Sequence, residues 1–126
     1  MGVMSEPRLA DHDLAALVPD WLDWAEAAAQ LDVTVGKVRT MIRDHELAAA
    51  VPSPEKGQKV PAAFIQDGFP VKGLPGLLTM MHDNKYDDRE IIAWLFLDQD
   101  LPGSPIDALR ENRGTEVKRR AQAMAF

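Results

Sequence analysis

Between Val33 and Arg43 the chain carries three cations, Lys37, Arg39 and Arg43, and no acid. Elsewhere acids predominate: 14 Lys and Arg stand against 20 Asp and Glu, for a formal net charge of −6. Ammonium and guanidinium groups gathered in this way suit phosphate oxygens and the acceptor edge of guanine, which one arginine holds through two parallel hydrogen bonds. Arg39 is the candidate for such a base contact, and Lys37 and Arg43 are candidates for phosphate. Thr34, Gly36 and Thr40 interleave with them and are small enough to let a backbone come close to a groove. Screening confines the field of an exposed charge to about 10 Å at ordinary salt, so the acidic total does not decide the matter. It does predict weak non-specific binding that added salt removes easily.

These side chains must be positioned by two short helices. Leu22–Leu31 reads as the first, with Asp20 or Asp23 as its cap, Glu26 in its first turn, and Leu22, Ala25, Ala28, Ala29 and Leu31 near one face. Asp32-Val33 is the turn, with Asp32 where a positive φ is expected. Thr34 caps the second helix, which runs to about His45 and sends Val35, Val38, Met41 and Ile42 to the core. Gly36, Lys37, Arg39, Thr40 and Arg43 are left outside. Ala27, Ala28, Leu31, Val33, Val38 and Met41 sit where helix-turn-helix units place their small and apolar packing residues, and such a unit offers the N-terminal turn of its second helix to the major groove. A solvated helix face would carry the same three cations. The next segment favours DNA: Leu47–Val51 and Val60–Ile65 flank a Pro/Gly loop and read as a hairpin, a wing with Lys56 and Lys59 available to backbone or minor groove. Pro61 makes its second strand an edge or very short.

The remainder is helical. Leu77–His82 is a short helix, and Asp87 with Glu90 forms a capping box ahead of Ile91, Ile92, Trp94, Leu95 and Phe96. Ser104-Pro105 starts a further helix that Gly114 ends, and Thr115–Met124 is the last. The expected fold is mainly α with a small β-hairpin: a flexible tail over 1–20, a winged helix-turn-helix over 21–70, and a small helical bundle over 71–126 packed on it.

Catalytic constellations are absent from the pattern. There is no cysteine, and His12, His45 and His82 are far apart with no metal-ligand spacing. A histidine at the end of the second helix, His45, is explained by the helix dipole. The acids from Asp83 to Glu90 lack the ligand order of a calcium loop, and the glycines of VKGLPG are not followed by the Lys-Ser/Thr of a phosphate loop. Neither enzyme activity, cofactor nor metal is expected. The N-terminus has no apolar segment behind a positive start, and no run approaches the ~20 apolar residues that span a bilayer. A cytoplasmic protein, on the nucleoid when bound to DNA, is the expectation.

Four stretches carry a family resemblance: KGLPGLLTMMHD at Lys72–Asp83, EIIAWLF at Glu90–Phe96, PIDAL at Pro105–Leu109 and EVKRRAQAMAF at Glu116–Phe126. With them, the body from about Trp21 to Phe126 resembles a small actinobacterial family of winged helix-turn-helix DNA-binding proteins, typified by a mycobacterial substrate of a receptor-type serine/threonine kinase. The resemblance implies binding of double-stranded DNA through Thr34–Arg43 and the wing, a role as transcriptional regulator, and a kinase-controlled N-terminal tail. Ser5 is the only hydroxyl before Asp20. A homodimer is expected for tight operator binding, since one winged unit covers a half-site. Trp94-Leu95, Leu101–Leu109, Gly114 and EVKRRAQ resemble, in addition, the toxin-binding helical domain of certain antitoxins, which implies the alternative of a protein-interaction module.

Overall fold

The computed structural model describes residues 8–53, 57–97 and 103–124. The first helices form where their caps dictate. Helix α1 (Leu14–Leu17) is a single turn capped by Asp13, whose carboxylate accepts from the Ala15 amide at 3.1 Å. Strand β1 (Trp21–Leu22) leads into α2 (Trp24–Leu31). Asp23, not Asp20, caps α2: its carboxylate accepts from the Glu26 amide at 2.7 Å, and the Glu26 carboxylate accepts from the Asp23 amide at 2.9 Å. Asp20 instead offers its carbonyl to the Ala62 amide at 2.9 Å. Asp32 ends α2 in the left-handed conformation, φ 56°, at a cost of about 1–2 kcal/mol for a residue with a Cβ. The Val33 amide then reaches the Ala28 carbonyl at 3.0 Å and closes the turn. Helix α3 (Val35–Arg43) follows.

The α2–α3 seam is built from Ala27, Ala28, Leu31, Val38 and Met41, all buried. The helical periodicity is right in kind but shifted in face. Ala25 and Ala29 are exposed, Ile42 is half-buried, and Val35, expected in the core, is 42% exposed. As the first residue of α3, Val35 lies before the turns that meet α2.

The wing is narrower than a regular hairpin. Strand β2 (Val60–Pro61) pairs antiparallel with β1, in the register Trp21↔Pro61 and Leu22↔Val60. Among the described residues the expected partner segment contributes only the bridge Ala50↔Lys59, with amide–carbonyl distances of 3.0 and 2.8 Å. Proline at position 61 brings no amide hydrogen, so the ladder stops there. The chain then makes a 3-10 turn at Ala62–Phe64 instead of extending to Ile65. A second antiparallel pair, β3 (Ile65–Gln66) with β4 (Phe69–Pro70), turns through Asp67 and Gly68, both at positive φ.

Among the described residues four further helices follow: α4 (Leu74–Asp83), α5 (Asp88–Phe96), α6 (Pro105–Arg110) and α7 (Gly114–Ala123). Asp87 and Glu90 form the expected capping box on α5, and Ser104 with Asp107 forms another on α6. Gly114 starts α7 and does not end α6, which stops at Arg110. Ile91, Ile92, Ala93, Trp94 and Leu95 are all buried, so α5 is enclosed on nearly every side. It meets α1, α4 and α6.

The end of the 1–20 segment, expected to be a flexible tail that touches the body near Leu17 and Val18, is folded. Leu14 and Val18 are buried, one helical turn apart, and α1 packs with α5. Arg89 of α5 fixes the preceding backbone, donating from Nε to the Ala10 carbonyl at 3.0 Å and from Nη2 to the His12 carbonyl at 2.9 Å. Two further side chains of the C-terminal half hold main chain of the winged half. Arg110 donates from Nη1 to the carbonyls of Ala63 (2.8 Å) and Ile65 (3.1 Å), and Asp88 accepts from the Ala49 amide at 3.1 Å. Buried apolar residues from Leu14 to Ala121 accordingly form one continuous cluster.

Candidate nucleic-acid interface

The site is set by the start of α3. The Thr34 hydroxyl accepts from the Lys37 amide at 3.0 Å, satisfying one of the amides that a helix start leaves open. The Thr40 hydroxyl donates back to the Gly36 carbonyl at 3.2 Å, which turns its polar atom along the helix. Thr34, Gly36, Lys37, Arg39 and Arg43 are exposed, and Thr40 is half-buried. Gly36 has an ordinary helical backbone, and a Cβ placed there would meet only Thr34 Oγ1 at 3.8 Å. Nothing inside the protein therefore requires a glycine at this position.

Two of the three cations have neighbours. The Arg39 guanidinium lies 5.6 Å from the ring centre of Trp24 on α2. Such an exposed cation–π contact is worth about 0.5–1 kcal/mol, less than the ~1–3 kcal/mol of a bidentate guanine contact. Arg39 can thus leave Trp24 for a base. Arg43 Nε lies 3.4 Å from Asp44 Oδ1, with the two side chains 73% and 51% exposed, a pairing worth about 0–1 kcal/mol. Among the described residues, Asp44 partly shields the face, and Lys37, Arg39 and Arg43 stay exposed. On the wing, Lys59 is half-buried with its backbone paired to Ala50. Lys56 lies outside the described residues.

Two features escaped the sequence reading. Val35 adds an apolar side chain at the exposed start of α3, and its signal was its place directly after the cap. The histidines, far apart along the chain, are not all far apart in space. The rings of His45 and His82 stack with centroids 3.8 Å apart, and His82 Nε2 is 2.6 Å from Asp88 Oδ1. The run from His82 to Asp88 does suggest a cation site, which capping and solubility explain better from sequence alone; spacing gave no sign of His45, which a separate element supplies.

Two helices joined by a left-handed turn, a small winged sheet and a helical domain define a winged helix-turn-helix protein with a C-terminal helical extension. A family described as "DNA-binding protein Rv2175c, wHTH domain" matches residues 10–65, and one described as "Rv2175c C-terminal domain of unknown function" matches residues 71–125. The DNA-binding protein Rv2175c of Mycobacterium tuberculosis is 38% identical over 118 residues, covering 82% of this chain and 80% of that protein. The NMR structure of Rv2175c superposes with a TM-score of 0.73 at 37% identity, over 85% of this chain and 82% of the other. The chain belongs to the Rv2175c family. Among the described residues no helix is long and apolar enough to cross a membrane.

Proposed function

We propose that this protein binds double-stranded DNA by laying α3 in the major groove and acts as a transcriptional regulator. The observation that carries the reading is the exposed run Thr34, Val35, Gly36, Lys37, Arg39 and Arg43 at the start and along one side of α3. Small residues at the helix start let the backbone approach base edges. Arg39 reads guanine, Val35 suits a thymine methyl, and Lys37 and Arg43 neutralise phosphates. Thr40 lines the same side, and Lys59 reaches adjacent backbone or minor groove, a role also proposed for Lys56, which lies outside the described residues. Membership of a family named for DNA binding supports the same reading. A homodimer covering two half-sites, and control by a serine/threonine kinase acting on the N-terminal segment, complete it.

The test is a low-salt gel shift on duplex DNA. Arg39→Ala costs about 1–3 kcal/mol at a specific site, and Arg39→Ala/Arg43→Ala loses more. Equal affinity of the double variant and the wild type rejects the reading.

A second reading, recognition of a protein by the C-terminal helices, is favoured by one observation. A cleft of about 410 Å³ lies between α4 and α7, lined by Leu77, Met80, Leu109 and Val117 with Lys72 and Lys118 at its edge. A stoichiometric protein partner for the full chain, together with no affinity for duplex DNA, would decide for it.

A further inference from the structure

His45, His82 and Asp88 come from three elements and converge at the junction of the winged and C-terminal halves. His45 stands two residues past the end of α3, His82 in the last turn of α4, and Asp88 at the first position of α5. One ligating atom from each lies within 4.8 Å of the others, and all three residues are half-buried. Asp88 is already oriented: its Oδ2 accepts from the Ala49 amide at 3.1 Å while Oδ1 faces His82 Nε2 at 2.6 Å. A carboxylate fixed by an outer hydrogen bond is what a metal site requires of its ligands. His45 Nδ1 is buried without a hydrogen-bond partner. A buried ring nitrogen left in that state is costly, and a ligand would relieve it.

We propose that His45, His82 and Asp88 bind a divalent transition-metal ion of the zinc class. Two imidazoles and one carboxylate form a borderline donor set that suits Zn2+ and its first-row neighbours and leaves a fourth position for water. Bonds of about 2.0–2.1 Å in tetrahedral geometry place donor atoms about 3.3 Å apart. The His82–Asp88 separation of 2.6 Å is below that value, and all three ligating atoms lie within 4.8 Å of one another. The His82–Asp88 contact must open by under about 1 Å, and the His45 ring must turn out of its stack so that its nitrogen points at the ion. The ion takes the place of the direct contact between His82 and Asp88. It ties the end of the groove-facing helix to α4 and α5 of the C-terminal half.

The experiment is calorimetric titration of the full chain with Zn2+ after removal of metal by a chelator. It is paired with an NMR spectrum of the imidazole nitrogens. One equivalent binds per chain, the nitrogens of His45 and His82 shift, and those of His12 do not. His45→Gln and His82→Gln each weaken binding by at least about tenfold, while His12→Gln leaves it unchanged. The NMR readout needs no substitution, so it holds even if a variant misfolds. No saturable uptake by the wild type, or uptake that leaves the His45 and His82 resonances in place, overturns the proposal and leaves the trio as a hydrogen-bonded joint.

Discussion

Asp44 is the carboxylate paired with the cationic side of α3, and removing its charge should make the protein bind DNA more tightly. Its Oδ1 sits 3.4 Å from Arg43 Nε. An exposed ion pair of this kind is worth about 0–1 kcal/mol, which Arg43 must give up to reach a phosphate. A carboxylate about 8 Å from a phosphate adds roughly 0.5 kcal/mol of repulsion at the dielectric constant of water. Together these predict a gain of about 2–12-fold in affinity for Asp44→Asn at low salt, given tenfold per 1.4 kcal/mol. The gain should fade toward 0.2 M salt, roughly where the screening length falls below ~8 Å. The substitution also removes an acid from a helix C-terminus, where it opposes the dipole, so the fold gains or loses little. Fluorescence anisotropy on a labelled duplex, run at several salt concentrations, measures both affinity and slope. Loss of fold cannot mimic a gain in binding. Unchanged or weaker binding of Asp44→Asn at low salt would refute the placement of Arg43 on DNA.

Three further outcomes follow from the same geometry. Lys37→Ala should weaken binding about equally on all sequences and lower the slope of log affinity against log salt by about 0.9, read from the same titrations. Gly36→Ala should raise thermal stability by about 0.5–1 kcal/mol, because a Cβ fits there, yet reduce DNA affinity by holding the backbone off the groove. Melting curves and anisotropy on one sample read the two opposite signs. Arg110→Ala deprives the carbonyls of Ala63 and Ile65 of a charged donor and should cost about 2–3 kcal/mol in urea denaturation, with DNA binding per folded molecule preserved.

What the sequence disclosed was local, and what it hid was tertiary. Asp23 with Glu26, Asp87 with Glu90, and Ser104 ahead of Pro105 announce helix starts through side chains that satisfy nearby amides, and the structure caps α2, α5 and α6 with those residues. Helix ends were harder to see. Asp32, His45, Lys85 and Asn112 all take the left-handed conformation that glycine usually marks. Strands of two residues carry no period, so the pairing of Trp21–Leu22 with Val60–Pro61 had no signature. The hairpin at Asp67-Gly68 did have one, since that dipeptide favours two successive positive φ values. The docking of α1 depends on α5 being present to receive it. In the candidate interface the cations of α3 were legible from helical period alone. The contacts of Arg39 with Trp24 and of Arg43 with Asp44 needed coordinates.

The most direct test of the account is to titrate the 15N-labelled full chain with a short duplex at low salt and follow its backbone amides by NMR. Residues 34–43 and the wing around Lys59 should shift or broaden first and together, while α4 to α7 change little. Perturbation centred on the cleft between α4 and α7, with α3 unmoved, would contradict the account.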